Sequence, residues 1–267
     1  MRAALVIGVL SLAFSAGGAH PQETPPQGTS GDGGTTAVEA DSLYFALRPD
    51  ESLALCVREI AERGNGAALQ WRAARAEIAL GMMIPESPRR KEWYDSALAH
   101  ARRGLALAPR DIDARYWVAV SAGRRAHRDD PILSIRLAYE VYEQVMAILA
   151  VDSLHAGAHH ALGALNGEVS RAPGFVRFVA GRILRLDLAN RANWPDAERE
   201  MLRAVALDPS VMMYAVDLAN LYGRAGKAAQ RDSALARLET VPLIHPMDGI
   251  IRDRCVARWR GVATKSD

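Results

Sequence analysis

Several absences narrow the chemistry open to this chain. Acidic and basic residues nearly cancel, 33 Lys and Arg against 31 Asp and Glu, leaving a formal charge of +2 over 267 residues. So small a surplus exerts no pull toward nucleic acid. β-Branched alternation, the mark of half-buried strands, is scarce, whereas Ala and Arg abound; both point to an all-helical chain. No Gly-x-Ser-x-Gly elbow marks a nucleophile. Gly223-Arg224-Ala225-Gly226-Lys227 imitates part of a phosphate loop, but its glycines are misspaced and no Ser or Thr follows Lys227. It reads as a turn between helices. The expectation is therefore no enzyme, no cofactor and no nucleic-acid partner.

Long apolar runs are also missing. Ala3 to Phe14 is too short to span a bilayer, but behind Arg2 and ahead of Gly17 and Ala19 it has the form of a signal peptide, residues 1–19. No Cys follows it to carry a lipid. Export to the periplasm or the exterior is the expectation. Residues 20–40 are Pro, Gly, Thr and Gln with almost nothing to bury, and read as a disordered linker. The folded domain is expected over 41–262.

What remains is helical and repetitive. Ala197 to Arg224 reads as two amphipathic helices joined at Asp208-Pro209-Ser210, with Ser210 placed to cap the second. Small or apolar residues at Ala197, Met201 and Ala204 precede Pro209; Ala97, Ala101 and Gly104 precede Pro109 at the same spacings. After each proline come Tyr214-x-x-x-Leu218-Ala219 and Ala114-x-x-x-Val118-Ala119. Val141, Val145, Ile148 and Ser153, then Ala158-x-x-x-Leu162-Gly163, make a third copy, and a degenerate fourth runs through Arg231, Leu235, Leu238 and Leu243. Upstream, Glu51–Arg63 and Ala67–Met83 are expected helices, Ser87-Pro88 opens another, and Gly249 to Trp259 reads as a capping helix. The copies are spaced beyond a 34-residue period by about 10 and 22 residues, which places insertions near 123–130 and 171–192.

The Ala197–Arg224 pattern resembles the tetratricopeptide repeat (TPR), and the fold expected from it is an all-α, TPR-like right-handed solenoid of about four helix pairs with a helical insertion. Tyr116-Trp117 through Gly123-Arg124, Ala158 through Gly163 and Ala197 to Tyr222, with the insertion Gly174 to Gly181, are similar to the regulator of microtubule dynamics family, whose bacterial relatives include exported proteins. The chain departs from that family in lacking an aromatic pair after the Leu-Gly helix. For an exported chain the resemblance implies architecture, not work on microtubules.

A TPR-like fold would bind through its concave face. Carried onto this sequence, that face comprises Asp113, Tyr116, Val120 and Arg124, then His160, Ala164 and Glu168, then Met213, Val216, Asn220 and Arg224. Tyr116, Arg124, His160, Asn220 and Arg224 are the expected partner-binding residues: Asn220 for a peptide backbone, and Arg124 and Arg224 for a carboxylate held by two hydrogen bonds. The function expected is a non-catalytic scaffold for a protein or peptide, with periplasmic capture of a small ligand as the alternative. His155 and His159 are spaced to share a helix face, yet no third ligand is marked, so the histidines are expected to pack rather than hold metal. Arg171 to Leu186 is a basic amphipathic stretch; packing of its apolar side is favoured over contact with a membrane. Cys56 and Cys255 lie near opposite ends, which a solenoid keeps apart, so buried thiols are expected in place of a bridge.

Overall fold

The computed structural model describes residues 33–64, 66–85, 87–126, 131–174, 177, 181 and 191–259. The signal peptide, most of the linker and most of the second insertion lie outside them. The described α-helices are α1 (Gly33–Phe45), α2 (Pro49–Arg63), α3 (Ala67–Met83), α4 (Pro88–Leu107), α5 (Ile112–Arg125), α6 (Pro131–Val151), α7 (Ala156–Arg171), α8 (Trp194–Leu207), α9 (Met212–Arg224), α10 (Ala228–Ala236) and α11 (Asp248–Trp259). Consecutive helices pack as antiparallel neighbours, most closely α3 on α4, α7 on α8 and α5 on α6. Contacts also link α1 to α3, α3 to α5, α5 to α7 and α7 to α9, so the odd-numbered helices form an inner layer. No helix among the described residues is long and apolar enough to cross a membrane.

Boundaries follow local chemistry. Ser87 Oγ accepts the Arg90 N–H at 3.3 Å ahead of Pro88. Asp111 caps α5 and Asn193 caps α8, their side-chain oxygens accepting the Ala114 and Asp196 N–H groups at 3.0 and 2.8 Å. Ser210 does not cap α9, contrary to expectation. Its N–H and hydroxyl both bond Asp208 Oδ1, at 3.1 and 2.6 Å, closing the turn itself, and Val211 takes the cap position. The first helix also begins earlier than expected, at Gly33 inside the supposed linker. Thr36, Ala37 and Ala40 give it a small-residue face, buried against α2 and α3. Likewise Gly123 to Arg125, assigned to the first insertion, continue α5.

The small residues at the repeat positions let backbones meet. A Cβ on Gly163 would lie 2.9 Å from the Met201 nitrogen and 3.0 Å from the Ala197 carbonyl oxygen, so α7 and α8 touch main chain to main chain. At the matching position of the earlier pair, Gly81 leaves room for the Tyr94 ring, 2.6 Å from where a Cβ would stand. Ala97, Ala101, Ala197 and Ala204 are completely buried on the partner helices.

The superhelix curls until its ends meet. Tyr44 and Phe45, closing α1, each stand 6.0 Å from the His245 ring in the segment before α11. Asp248 holds that segment, its Oδ2 accepting the Ile244 and His245 N–H groups at 2.9 and 2.7 Å. Meeting ends do not join the cysteines. Cys56 is buried in a small cluster with Ala37, Ala40 and Leu69, and Cys255 packs on the main core, with no disulfide between them. Burial pushes the Cys56 thiol up to about 11, so it stays protonated and unreactive.

Two expectations follow. Gly163→Ala drives a methyl into backbone and should cost about 1–3 kcal/mol, whereas Gly34→Ala, with open space around it, should be neutral or slightly stabilising; urea titrations of both variants compare them. His245 is the second. Burial, helped by Arg75, lowers its pKa from 6.5 to about 4. The unfolded chain therefore takes up a proton that the folded site refuses. Stability from this group is complete above about pH 6.5 and drains away as pH falls toward 4. Between pH 7 and 4.5 the chain should lose about 2 kcal/mol more than His245→Phe does; parallel losses in the two would remove His245 as the cause.

Candidate functional site

The inner layer brings the expected residues into one region but does not leave them equally reachable. Tyr116 on α5 is 2% exposed and His160 on α7 is 0% exposed. Both are packed against Tyr214 of α9, the aromatic of the repeat pattern Tyr214-x-x-x-Leu218-Ala219. The His160 and Tyr214 rings stack with centroids 4.7 Å apart, and the Tyr116 and Tyr214 hydroxyls share a hydrogen bond. Gly157 makes room for this, since a Cβ there would stand 2.5 Å from the Tyr116 ring. His160 Nε2 lies 3.0 Å from Asp217 Oδ2. Tyr44 completes the axis, with the Arg75 guanidinium 4.1 Å over its ring. Burial raises the pKa of both Tyr44 and Tyr214, so neither hydroxyl ionises near neutrality.

The concave centre is thus a filled polar core. Val120, Ala164, Met213 and Val216, expected on an open inner face, are buried with it. The signal missed in the sequence was Asp217, a lone acid in the otherwise apolar run Met212 to Ala219. A single carboxylate so placed needs a partner, and His160 supplies it.

What stays open lies at the lip, toward the C-terminal ends of α7 and α9. A small cleft there is lined by Ala164, Glu168, Asp217, Asn220, Leu221 and Arg224, among others. Asn220 and Arg224 are exposed at its edge. Glu168 is 5% exposed, receives Arg171 Nη1 at 2.9 Å and is paired with Arg224. Desolvation raises its pKa, and the two arginines oppose the shift. Arg224, though exposed, is therefore engaged by Glu168, while Asn220 is presented to solvent. Arg124, in the last turn of α5, sits near Tyr94, Asp217, Arg90 and Tyr116; among the described residues its Nε and Nη2 are buried without a hydrogen-bond partner. Burial lowers its pKa.

The histidine trio is dispersed. His155 is not on the face of α7; it is the N-cap, its Nδ1 accepting the Ala158 N–H at 3.0 Å. His159 lies between Glu200, 2.7 Å from Nδ1, and the Ser153 carbonyl, 3.0 Å from Nε2. The i, i+4 spacing failed because a capping residue lies outside the helical periodicity. Among the described residues no group of three His, Cys, Asp or Glu side chains is placed to hold a metal.

Residues 37–260 match the family model described as regulator of microtubule dynamics protein 1-3. Solved structures of similar course include TTC0263, a thermophilic TPR protein of Thermus thermophilus. It is 18% identical, with a TM-score of 0.56, over 85% of this chain and 98% of that one. Another is MamA from residue 41 to its end, of Desulfovibrio magneticus RS-1, 16% identical with a TM-score of 0.44 over 79% and 96% of the two chains. The first likeness establishes the TPR-like fold and says nothing of ligands. No curated protein matches the chain significantly.

The Tyr116–Tyr214 pair has a testable signature. Tyr116→Phe and Tyr214→Phe each leave one buried hydroxyl short of a partner and should destabilise by about 1–3 kcal/mol. The double variant should be less destabilised than the sum, by about 1 kcal/mol in a denaturation cycle; additivity would show that the two hydroxyls do not interact.

Proposed function

The chain belongs to the regulator of microtubule dynamics protein 1-3 family, and on that premise we propose that it is an exported, non-catalytic TPR scaffold binding a protein or peptide through its concave face. The observation that carries this reading is the lip between α7 and α9, where Asn220 is exposed beside a cleft floored by Ala164. An exposed amide beside a shallow cleft suits an extended peptide, whose backbone needs both a donor and an acceptor. Export rests on the signal-peptide pattern of residues 1–19. Capture of a small ligand between Tyr116, His160 and Arg124 is less well supported, because Tyr214 occupies the space between the first two.

The test is affinity capture from envelope extract with the chain after Ala19, followed by mass spectrometry. A dominant protein should be retained, and Asn220→Ala should weaken it at least tenfold. Arg224→Ala, which leaves Glu168 with Arg171 alone, should do at least as much. Full retention by both variants would move the site off this lip.

A further inference from the structure

We propose that the contact closing the superhelix is an acid-released latch: a proton on His245 parts the segment before α11 from α1, and the ring opens while the helix pairs between them stay folded. The geometry of the contact carries the argument. His245 is 4% exposed and faces the rings of Tyr44 and Phe45, each 6.0 Å away. Arg75 of α3 already lies over both rings, 4.1 and 5.3 Å from their centres. The aromatic faces that could receive an imidazolium therefore hold a cation beforehand. Arg75 is itself fixed there, its Nη2 standing 2.5 Å from Asp41 Oδ1.

Little at the contact answers a second positive charge. His245 Nδ1 is buried and meets no hydrogen-bond partner among the described residues. The titratable groups around it are Arg75 on α3, Tyr44 on α1 and Asp248 on its own segment. Burial keeps Tyr44 neutral. Asp248 uses Oδ2 on the Ile244 and His245 N–H groups, and its buried Oδ1 also meets no partner, so Nδ1 and Oδ1 do not bond each other. Burial raises the Asp248 pKa, which favours the closed form as pH falls and so opposes His245 without giving it a bond. A proton refused by the closed form favours any form in which His245 meets water.

Opening is local because the last helix pair lacks a tie that the earlier pairs share. Four residues before Gly81, Ala119 and Gly163, each of α3, α5 and α7 carries a polar side chain bonded to its outer partner. Glu77 meets His100 at 2.8 Å, Arg115 meets Gln144 at 2.8 Å and His159 meets Glu200 at 2.7 Å. The corresponding residues of α9 and α10 are Ala215 and Ala234. Where a cross-bond would lie there is a groove of about 350 Å³, with both alanines, Leu202, Val205 and Tyr222 in its walls. α10 has only nine residues, and α11 packs on α9, on α10 and on the turn Arg237–Glu239. The segment bearing His245 is thus joined to the pair without a cross-bond, and parting it from α1 breaks none of the three ties within α3 to α8.

The test is hydrogen exchange of the full chain after Ala19, read by mass spectrometry at about pH 7 and 4.5 and corrected for the intrinsic effect of pH on exchange. An exposed imidazole titrates near 6.5 and that of His245 at about 4. Opening of 33–45 and 242–259 should therefore rise together, about fiftyfold from His245 alone and roughly tenfold or more with Asp248 opposing. Both ends should stay less protected than α7 and α8 at either pH. In His245→Phe the rise should vanish at both ends, including α1, which carries no substitution. His245→Gln, neutral throughout, should be equally flat and serves where the phenylalanine variant does not fold. Ends as well protected as α7 and α8 would mean that only whole-chain unfolding frees them, which overturns the latch. A rise that persists in whichever variant folds overturns it too.

Discussion

Everything in this molecule depends on how closely paired helices approach. Where α7 meets α8, a single added methyl at Gly163 would strike the Met201 nitrogen and the Ala197 carbonyl oxygen. At that separation the interface cannot be large side chains locked together; it is main chain against main chain, with Ala197, Met201 and Ala204 closing the seam. Bulk is carried beside the seams, where the buried Tyr94 and Tyr116 rings occupy space left by Gly81 and Gly157. Thin pairs stack with tight curvature, and tight curvature brings Tyr44 to His245. The abundance of alanine is the compositional trace of this geometry.

Curling the inner layer shut has a physical consequence. Side chains that would line an open groove become an interior, and interior polar groups must find one another. Along the axis most do: the Tyr116 hydroxyl bonds Tyr214, His160 stacks on Tyr214 and bonds Asp217, and Arg75 lies over the Tyr44 ring, while the Tyr44 hydroxyl and Arg75 Nε meet no hydrogen-bond partner among the described residues. Such a core is directional, so it holds the helices in one register more strictly than an apolar filling would. It also moves recognition outward, from the middle of the concave face to the lip where α7 and α9 end.

Much of the fold was legible because helix pairing obeys a local rule. Ala97-Ala101-Gly104-Pro109 and Ala197-Met201-Ala204-Pro209 announce the same packing twice, and α3 falls on the expected residues Ala67–Met83. Ser87 could be read as a helix start because capping is decided within four residues. The site was less legible. Tyr116, His160 and Arg124 do converge, but whether a converging residue is reachable depends on superhelical curvature, which accumulates over many pairs. His155 misled because spacing alone does not distinguish a cap from the first turn. Ser210 misled for the converse reason: Asp208, two residues earlier, won its hydroxyl. The early start of α1 was hidden by glycines and threonines that look like linker until Ala37 and Ala40 have a surface to meet.

Two arginines at equivalent places differ in what faces them. Arg124 and Arg224 hold the same place in their repeats, five residues beyond Ala119 and Ala219, each in the last turn of an inner helix where a cation suits the dipole. Arg224 has a neighbour in α7, which runs on to Arg171 and therefore carries Glu168 past Gly163. Arg124 has α3 as its neighbour, and α3 ends at Met83, two residues past the matching Gly81. One repeat thus neutralises its arginine internally, and the other leaves a buried guanidinium edge open. Asymmetry between otherwise similar repeats is where a solenoid acquires a specific site, and here it lies in whether an acid stands within reach of the arginine.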